Sequence, residues 1–309
     1  MILAVTMNPA IDKIYFVDDY ALDAVHRCGD LIASAGGKGL NVARVAKAIG
    51  EDVAVTGFLG GGNGQFIRKK IKELGLIDRF IEIDAETRIC INITDNKNNT
   101  TSEVLESGPI ITPEQSKKFI SSFPEMIKDV DIVTLSGSLP RGLGKDFYCT
   151  LIDICKRQGK KVLLDTSGDA FNLGVKAEPY MVKPNEDEIK AVYNDAVSSD
   201  SDVIEALKFF RKSGIGFPVV SLGKAGSLAA YGNDIFKVTF PSVKTVNTVG
   251  SGDSYIAGFA AGLSRNYSPE DVLKLATACG SANTQYEQTG YVEREKVDEF
   301  FRNVEVKKL

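Results

Sequence analysis

The sequence is poor in the residue types from which metal centres and histidine-based catalytic sites are made. It has one histidine, His26, and five cysteines in 309 residues. A single histidine has no partner for a catalytic constellation, so His26 is expected to be a non-catalytic neighbour of Arg27. The cysteines are odd in number and lie far apart, which favours reduced thiols in the cytoplasm over a disulfide framework or a zinc site. They are Cys28, Cys90, Cys149, Cys155 and Cys279.

The chain also lacks an excess of positive charge and any long apolar run. Lysine and arginine number 37 against 41 acidic residues, and the formal net charge is -4. A nucleic-acid surface needs clustered basic residues that displace counterions from phosphates, so binding to DNA or RNA is not expected. The apolar residues 1–6 are too few for a signal sequence or a membrane span. We therefore expect a cytoplasmic protein whose partners are small molecules.

Two common nucleotide-binding motifs are missing. The P-loop pattern G-x-x-x-x-G-K-[ST] requires Ser or Thr after the lysine, and no lysine that follows a glycine meets this requirement. These lysines are Lys38, Lys145, Lys160 and Lys224. The glycine-rich segment 57–64 does not complete G-x-G-x-x-G, because Gln65 occupies the third glycine position. A P-loop enzyme is excluded, and a nicotinamide-dependent oxidoreductase is a weak alternative.

Short apolar runs alternate with segments of helical periodicity along most of the chain. Nearly continuous apolar runs are typical of parallel strands that are covered on both faces. The pattern predicts one α/β domain spanning 1–309, with an open, mainly parallel sheet between two layers of helices. We expect strands at 2–6, 53–57, 132–135, 162–165, 180–183 and 219–222, then a strand pair at 227–231 and 235–240. Helices are expected near 39–49, 64–74, 114–128, 145–158, 186–193, 202–213, 253–265, 269–286 and 293–302.

Residues 11–35 and 87–107 interrupt this alternation. Both segments alternate polar and apolar residues, and a polar cluster at 95–101 indicates a hairpin tip. We expect a small antiparallel β-sheet that serves as a lid and as the contact surface of a homodimer. Surface hairpins without function, on a monomer, are the alternative. The charged end of the chain, 307–309, is expected to be solvated.

The strongest candidate site is the turn Gly250, Ser251, Gly252 and Asp253, at the start of an apolar helix. Its glycines let successive backbone N–H groups point into one concavity, and the helix N-terminus adds the positive end of its dipole. Such a turn binds an anion. Asp253 could simply cap the helix. A carboxylate beside an anion hole is also what phosphoryl transfer to an alcohol requires, since it can accept the hydroxyl proton.

A second glycine-rich turn, residues 36–41, opens the helix near 39–49. Glycine lets the backbone approach a sugar closely, Asn41 can both donate to and accept from hydroxyls, and Lys38 adds a positive charge. A tight strand-to-helix turn without function is the alternative.

Six segments follow one another in an order that resembles the ribokinase-like PfkB family of carbohydrate kinases, and the resemblance covers nearly the whole chain. The segments are Asn8-Pro9-Ala10-Ile11-Asp12, the turn at 36–41, Ser136-Gly137-Ser138-Leu139-Pro140, Lys183-Pro184-Asn185-Glu186-Asp187-Glu188, Ser221-Leu222-Gly223 and the turn at 250–253. Asn247 departs from the pattern, because many members carry Asp there. The resemblance implies a ribokinase-like fold and the ATP-dependent phosphorylation of a sugar.

The resemblance also implies roles for individual residues. Asp253 becomes the catalytic base, and the amides of Gly250, Ser251 and Gly252 form the anion hole. The sugar is placed at Asp12, Gly37, Lys38, Asn41 and Ser138. Arg27 and Arg88 become candidates for binding a phosphate already on the sugar, because guanidinium groups pair with phosphate in a bidentate manner. A solvated surface position is the alternative for each arginine.

For ATP, the resemblance implicates Lys183, Asn185, Ser221, Gly223, Gly226 and Thr248. The resemblance also implies that Glu188 and Asn185 bind Mg²⁺, directly or through water, and that Asp165 influences the ion without binding it directly. Asn185 and Glu188 are three residues apart on one helical face, so both could reach an ion, or they could cap the helix reciprocally. Asp165 ends a predicted parallel strand, where open α/β sheets bind ligands.

Within the family, segments 87–91, 102–109 and 289–290 look most like tagatose-6-phosphate kinases. We expect phosphorylation of a ketohexose monophosphate to a 1,6-bisphosphate, with tagatose 6-phosphate as the favoured acceptor. The 1-phosphofructokinases, which use fructose 1-phosphate, share nearly all the catalytic motifs and are the alternative. A non-catalytic sugar-phosphate sensor is a further alternative.

Overall fold

The computed structural model describes residues 1–98, 100–193 and 199–309. Its strands are β1 (Ile2–Thr6), β2 (Ala10–Val17), β3 (Asp30–Gly36), β4 (Val53–Gly60), β5 (Ile77–Asp78), β6 (Ile81–Ile83), β7 (Arg88–Asp95), β8 (Thr100–Leu105), β9 (Ile132–Ser136), β10 (Lys161–Asp165), β11 (Met181–Val182), β12 (Val219–Ser221), β13 (Ser227–Tyr231), β14 (Asp234–Thr239) and β15 (Glu305–Lys308). Its helices are α1 (Lys38–Ala48), α2 (Gly61–Glu73), α3 (Pro113–Met126), α4 (Phe147–Arg157), α5 (Gly168–Lys176), α6 (Glu186–Tyr193), α7 (Asp200–Lys212), α8 (Ser251–Ser264), α9 (Pro269–Asn283) and α10 (Arg294–Asn303).

The central sheet has the strand order β11-β10-β9-β1-β4-β5, and β6 pairs with a later part of β4. Every pairing in it is parallel. The apolar runs of the sequence account for this sheet, since all residues of β1, β4 and β9 are buried. The predicted mainly parallel α/β architecture is confirmed.

Helices cover both faces of the central sheet. Ile2 and Ala4 belong to one apolar cluster with residues of α1, α8 and α9, whereas Leu3 and Val5 belong to a second cluster with residues of α3, α4 and α7. Successive strand residues point to opposite faces, so a continuous apolar run supplies both clusters at once. This arrangement fixes the sheet firmly between its helices.

A second sheet, with the order β12-β13-β14-β15, is antiparallel throughout. It is joined to the central sheet by backbone hydrogen bonds from Phe217 N to Tyr180 O, 2.7 Å, and from Ser221 N to Pro184 O, 3.1 Å. Lys307 and Lys308 are exposed as expected, but they also belong to β15, a strand that was not predicted and that pairs with β14. The backbone satisfies its hydrogen bonds there while the lysine side chains stay exposed. Helix α5 was also not anticipated.

Segments 11–35 and 87–107 contain the strands of a third sheet, with the order β3-β2-β7-β8. The expectation of a purely antiparallel arrangement is wrong, because β2 and β7 run parallel while β2/β3 and β7/β8 are antiparallel. Each segment makes its own hairpin, and the two hairpins join through their first strands. The expected hairpin tip at 95–101 includes Asn99, which lies outside the described residues.

The carboxyl ends of the parallel strands bring distant residues together. Ser136 ends β9, Asp165 ends β10, and Lys183 directly follows β11. Because these strands are adjacent and parallel, their ends lie at one edge of the sheet. Residues predicted for the candidate site therefore converge at this edge.

Helices α8 and α9 approach each other closely through glycine. A β-carbon at Gly258 would lie 2.6 Å from the carbonyl oxygen of Leu275 and 2.8 Å from Ala276 Cα. We expect Gly258→Ala to lower the free energy of unfolding by about 1–3 kcal/mol, because this overpacking outweighs the better helix propensity of alanine. Urea unfolding measures the change.

Gly62 provides the matched control, since it is also helical and has nothing within 4 Å of an added β-carbon. Gly62→Ala should leave stability unchanged or raise it by up to about 1 kcal/mol. If the two substitutions had the same effect, the close approach of α8 and α9 would not limit residue size at Gly258.

Candidate active site

The N-cap residue of α8 is a glycine in the left-handed conformation. Gly250 is the N-cap residue with φ 82° and ψ -2°, and a β-carbon there would lie 2.6 Å from Thr289 Cγ2 and 2.8 Å from Gly290 N. Both the dihedral angle and the space therefore require glycine. The turn leaves the first N–H groups of α8, from Ser251 onward, without partners inside the helix. These groups and the helix dipole make the turn suitable for an anion.

Asp253 lies in the first turn of α8 and is only 5% exposed. Its Oδ2 accepts a hydrogen bond of 2.9 Å from Nδ2 of Asn41, in the first turn of α1. The N-cap position belongs to Gly250, which has no side chain, so Asp253 is not the N-cap of the helix. Two glycine-rich turns that lie 212 residues apart in sequence thus place one buried carboxylate against one amide.

Two lysines and a second carboxylate lie beside this pair. The ammonium group of Lys38 is 3.2 Å from Asp165 Oδ2, and that of Lys183 is 3.4 Å from Asp165 Oδ1. A β-carbon at Gly252 would lie 3.4 Å from Lys183 Nζ, which places this ammonium group against the 250–252 turn. Two ammonium groups therefore lie beside the turn, although the whole chain is acidic, and Asp165 balances part of their charge.

The surroundings change the acidity of both carboxyl groups. Burial raises the pKa of Asp253 to about 7, and the charge of Asp165 adds to this rise, while Lys38, Asn41 and Lys183 oppose it. Burial also acts to raise the pKa of Asp165, but the charges of Lys183 and Lys38 outweigh it and hold that pKa below its ordinary value. Asp253 can therefore exchange a proton near neutral pH, whereas Asp165 stays ionised. A general base is most effective with such a pKa.

Residues predicted for the sugar flank the same turn. Burial raises the pKa of Asp12 to about 6, against the charges of Arg44 and Arg88 and a hydrogen bond from the backbone of Gly37. Arg88 donates to the carbonyl oxygens of Asn8 and Glu106. Ser138 is exposed and accepts a 3.4 Å hydrogen bond from the amide of Asn8. Arg27 is exposed in the connection between β2 and β3, and has no hydrogen bond or ion pair to the described residues.

Residues predicted for ATP and Mg²⁺ lie on connections around β11 and β12. Asn185 and Glu188 cap α6 reciprocally, with bonds of 3.0 Å and 2.8 Å to each other's backbone N–H groups. The carboxylate of Glu188 is still close enough to contribute to the raised pKa of Lys38, behind Asp165 and Asp253. Gly223 and Gly226 have positive φ around a 3-10 turn that follows Ser221. Thr248 accepts from the N–H of Ser251 through its carbonyl oxygen.

Two buried residues that were not predicted from the sequence hold the site together. Arg44 is 7% exposed and donates to Asn41 Oδ1 at 3.2 Å. Asn283 is fully buried, accepts at Oδ1 from the N–H of Gly290 at 2.8 Å, and donates to Val249 O at 2.9 Å. Arg44 could have been found from the sequence, because it follows Asn41 by three residues and so lies on the same face of the helix. The partners of Asn283 depend on the tertiary structure.

Comparison with known proteins agrees with this geometry. Residues 5–296 match the pfkB family of carbohydrate kinases. A tagatose-6-phosphate kinase from Staphylococcus epidermidis is 40% identical over 311 residues, which cover 99% of each chain. The chain belongs to the PfkB family of carbohydrate kinases. Members of this family use ATP as the phosphoryl donor.

Solved structures of phosphofructokinases share the fold. A candidate phosphofructokinase from Staphylococcus aureus superposes with a TM-score of 0.88 at 32% identity, covering 100% of this chain and 99% of that one. The tetrameric inhibited form of phosphofructokinase-2 from Escherichia coli gives 0.91 at 25% identity, covering 97% and 98%. The ribokinase-like architecture of this PfkB chain is therefore established. In the described part of the chain, no helix is long and apolar enough to cross a membrane.

The raised pKa of Asp253 predicts a pH-dependent effect of Asp253→Asn on stability. The folded protein holds a proton on Asp253 up to about pH 7, whereas the unfolded chain loses it near 3.8, so the contribution of Asp253 to wild-type stability falls as pH rises between these values. The asparagine of the variant cannot ionise. The free energy of unfolding of the variant should therefore equal that of wild type near pH 3.8 and exceed it by a few kcal/mol above neutral pH.

Urea unfolding of both proteins across this pH range measures the difference. Asp169→Asn is the control, because Asp169 is an exposed residue in the first turn of α5, and its substitution should give no such trend. A constant difference between Asp253→Asn and wild type at all pH values would contradict the raised pKa.

Proposed function

We propose that the protein transfers the γ-phosphoryl group of ATP to the 1-hydroxyl group of tagatose 6-phosphate, forming tagatose 1,6-bisphosphate and ADP. The observation that carries this proposal is the buried Asp253 at an anion-binding helix mouth, between Asn41 and the lysine pair. Its full-length relationship to a tagatose-6-phosphate kinase supports the choice of acceptor.

The chemistry assigned to these residues is general-base catalysis with electrostatic stabilisation. Asp253 accepts the proton as the substrate oxygen forms its bond to phosphorus, and the bond from phosphorus to the bridging oxygen of ADP breaks. The amides of Gly250 and Gly252 donate to the phosphoryl oxygens as their charge grows, and that of Ser251 does so by exchanging or sharing its bond to the carbonyl oxygen of Thr248. Lys38 and Lys183 add positive charge at the same place. Burial of Asp253 also keeps water from competing as the acceptor.

The sugar phosphate is assigned to the edge formed by β2, β7 and the 36–41 turn. Asp12, Gly37 and Asn41 face hydroxyl groups, with Ser138 across the cleft. Arg88 and Arg27 bind the 6-phosphate, because guanidinium groups match phosphate oxygens. Arg27 is free to do so within the described residues, whereas Arg88 must also keep or exchange its bonds to backbone carbonyl oxygens.

Mg²⁺ fits the donors near the nucleotide residues. Magnesium in kinases is held by one or two protein oxygen ligands, with phosphate oxygens and water completing its shell. Glu188 and Asn185 supply such oxygens at the start of α6, and Asp165 supplies negative charge nearby. No larger cluster of His, Cys, Asp or Glu suited to a metal occurs among residues 1–98, 100–193 and 199–309. When bound, the ion would neutralise charge on the ATP phosphates.

A coupled ADP-release assay tests the acceptor. Tagatose 6-phosphate, fructose 1-phosphate and fructose 6-phosphate are compared by kcat/KM at the same ATP concentration. We expect the highest value for tagatose 6-phosphate. A preference for fructose 1-phosphate would assign the chain as a 1-phosphofructokinase, and binding of sugar phosphate and ATP without turnover would indicate a sensor.

The same assay identifies the base. Asp253→Asn should lower kcat by at least about a hundredfold while ATP binding is retained, because the loss of a general base typically costs about 10² to 10⁴ in rate. The exposed Asp169→Asn serves again as the control and should turn over normally. Near-normal turnover by Asp253→Asn would rule out Asp253 as the base.

We further propose that the sheet β3-β2-β7-β8 acts as a lid of one kinase domain and as the contact of a homodimer. β8 is an edge strand whose residues are all exposed, including Val104 at 58% and Leu105 at 61%. An exposed apolar edge is a template for pairing with a second chain. The tetrameric form of the Escherichia coli relative supports self-association in this family.

Sedimentation velocity tests the homodimer. Wild type should sediment as a dimer, and Leu105→Asp should shift it to monomer, because a charge would be buried in the contact. Leu309→Asp, at an exposed apolar residue of the chain terminus, should leave the dimer intact. A monomeric wild type would disprove the proposal.

A further inference from the structure

Arg44 is the most deeply buried charge in the site that the proposed chemistry does not use. It lies on α1, one turn after Asn41, and its guanidinium makes four hydrogen bonds within the protein. Burial lowers its pKa, while the charges of Asp12 and Asp253 act in the opposite direction. A buried guanidinium is costly unless it is paired and fully hydrogen-bonded. Its position therefore needs a physical explanation.

The bond between Arg44 and Asn41 decides which end of the Asn41 amide faces Asp253. Guanidinium is a donor without acceptor sites, so its Nη1 can face only Oδ1 of Asn41, at 3.2 Å. The Nδ2 end must then point the other way, where it donates to Asp253 Oδ2 at 2.9 Å. An amide that was free to rotate could present its oxygen to the carboxyl group instead. That arrangement would favour the protonated form of Asp253.

Three backbone carbonyl groups fix Arg44 itself. Nη1 donates to Thr289 O at 2.8 Å and to Gly290 O at 3.4 Å, and Nη2 donates to the carbonyl oxygen of Ala35. Ala35 precedes the 36–41 turn. The 289–290 loop contacts both glycine-rich turns. A β-carbon added at Gly250 would meet Thr289, and one added at Gly290 would meet Asn41. One side chain thus connects both glycine-rich turns through their neighbours.

We propose that Arg44 is a positioning residue that holds the Asn41 amide in the one orientation that donates to Asp253 and so keeps this carboxylate ready to accept a proton. Arg44 acts through Asn41 and does not touch the reacting atoms. The catalytic part of this inference rests on the proposed function. The orientation of the Asn41 amide and the ionisation of Asp253 do not depend on the proposed function.

Other charged groups also face Asp253 and must stay constant in a test. Asp165 favours the protonated form of Asp253, and Lys38 and Lys183 favour the ionised form. Asp12 lies near Arg44 on the substrate side. A substitution at Arg44 leaves all four groups in the protein. It removes one positive charge as well as the bond to Asn41. The two effects are separated in a background that lacks Asn41, where only the effect of the charge can remain.

The test compares Arg44→Met with Arg44→Lys. Methionine has similar length without charge or donors, and lysine keeps the charge and remains a donor without acceptor sites. We expect Arg44→Met to move the acid limb of the kcat/KM profile for tagatose 6-phosphate to higher pH by about one unit. Arg44→Lys should stay near wild type. Since all variants use the same substrate, the titration of its phosphate cancels.

A second readout needs no catalysis. The stability difference between each protein and its Asp253→Asn form rises with pH until Asp253 is fully ionised in the folded state. The pH at which this difference levels off should increase by about one unit in the Arg44→Met background. If the wild type phosphorylates no sugar, this measurement still decides the role of Arg44. If Arg44→Met does not fold, Arg44→Gln replaces it, because its amide can face Asn41 with either end.

Two controls separate positioning from general stabilisation. Arg265 joins the C-terminal ends of α8 and α1. It lies at the end of α8 and donates to Glu51 Oε1 at 2.8 Å and to Ile49 O at 2.7 Å, just after α1. Arg265→Met should lower stability without moving either pH profile. In an Asn41→Ala background, Arg44→Met should produce no further shift, because the residue through which it acts is gone. Unmoved profiles in Arg44→Met, or an equal shift with and without Asn41, would overturn the proposal.

Discussion

The carboxylate of Asp253 is removed from solvent at the mouth of α8, and the arrangement of the site follows from stabilising it there. A buried carboxylate without partners would simply hold its proton. Asn41 supplies a hydrogen bond, and Lys38 and Lys183 supply positive charge, so the pKa rises only to about 7. The proposed proton transfer at neutral pH depends on this balance. The same balance makes the contribution of Asp253 to the stability of the native state fall as pH rises towards neutrality.

The fold supplies these partners from separate parts of the chain. Parallel strands place Asp165 and Lys183 at one edge of the central sheet, and α1 and α8 point their first turns at the same edge. Helices α8 and α9 pack closely through small residues such as Gly258. Because the groups sit on packed strands and helices, their spacing is fixed before a ligand arrives.

Local sequence patterns predicted much of this fold for a physical reason. A strand buried on both faces must be apolar throughout, so β1, β4 and β9 were visible as apolar runs. The parallel pairing of β2 with β7 was not visible, since alternation reports which face is buried and not which strand lies alongside. The charged strand β15 was missed for a related reason. Its backbone bonds to β14 leave no apolar signature in the sequence.

The sequence by itself determined the glycine-rich turns, the PfkB resemblance and the candidate base, because these depend on residue types at short spacing. Only the tertiary structure decided whether Asp253 was a cap or a buried carboxylate, since burial and the bond to Asn41 involve residues far away in the chain. It also revealed Arg44, whose carbonyl partners include Thr289, 245 residues away in the chain. The acidity of a side chain depends on what surrounds it in space, and that is set by packing.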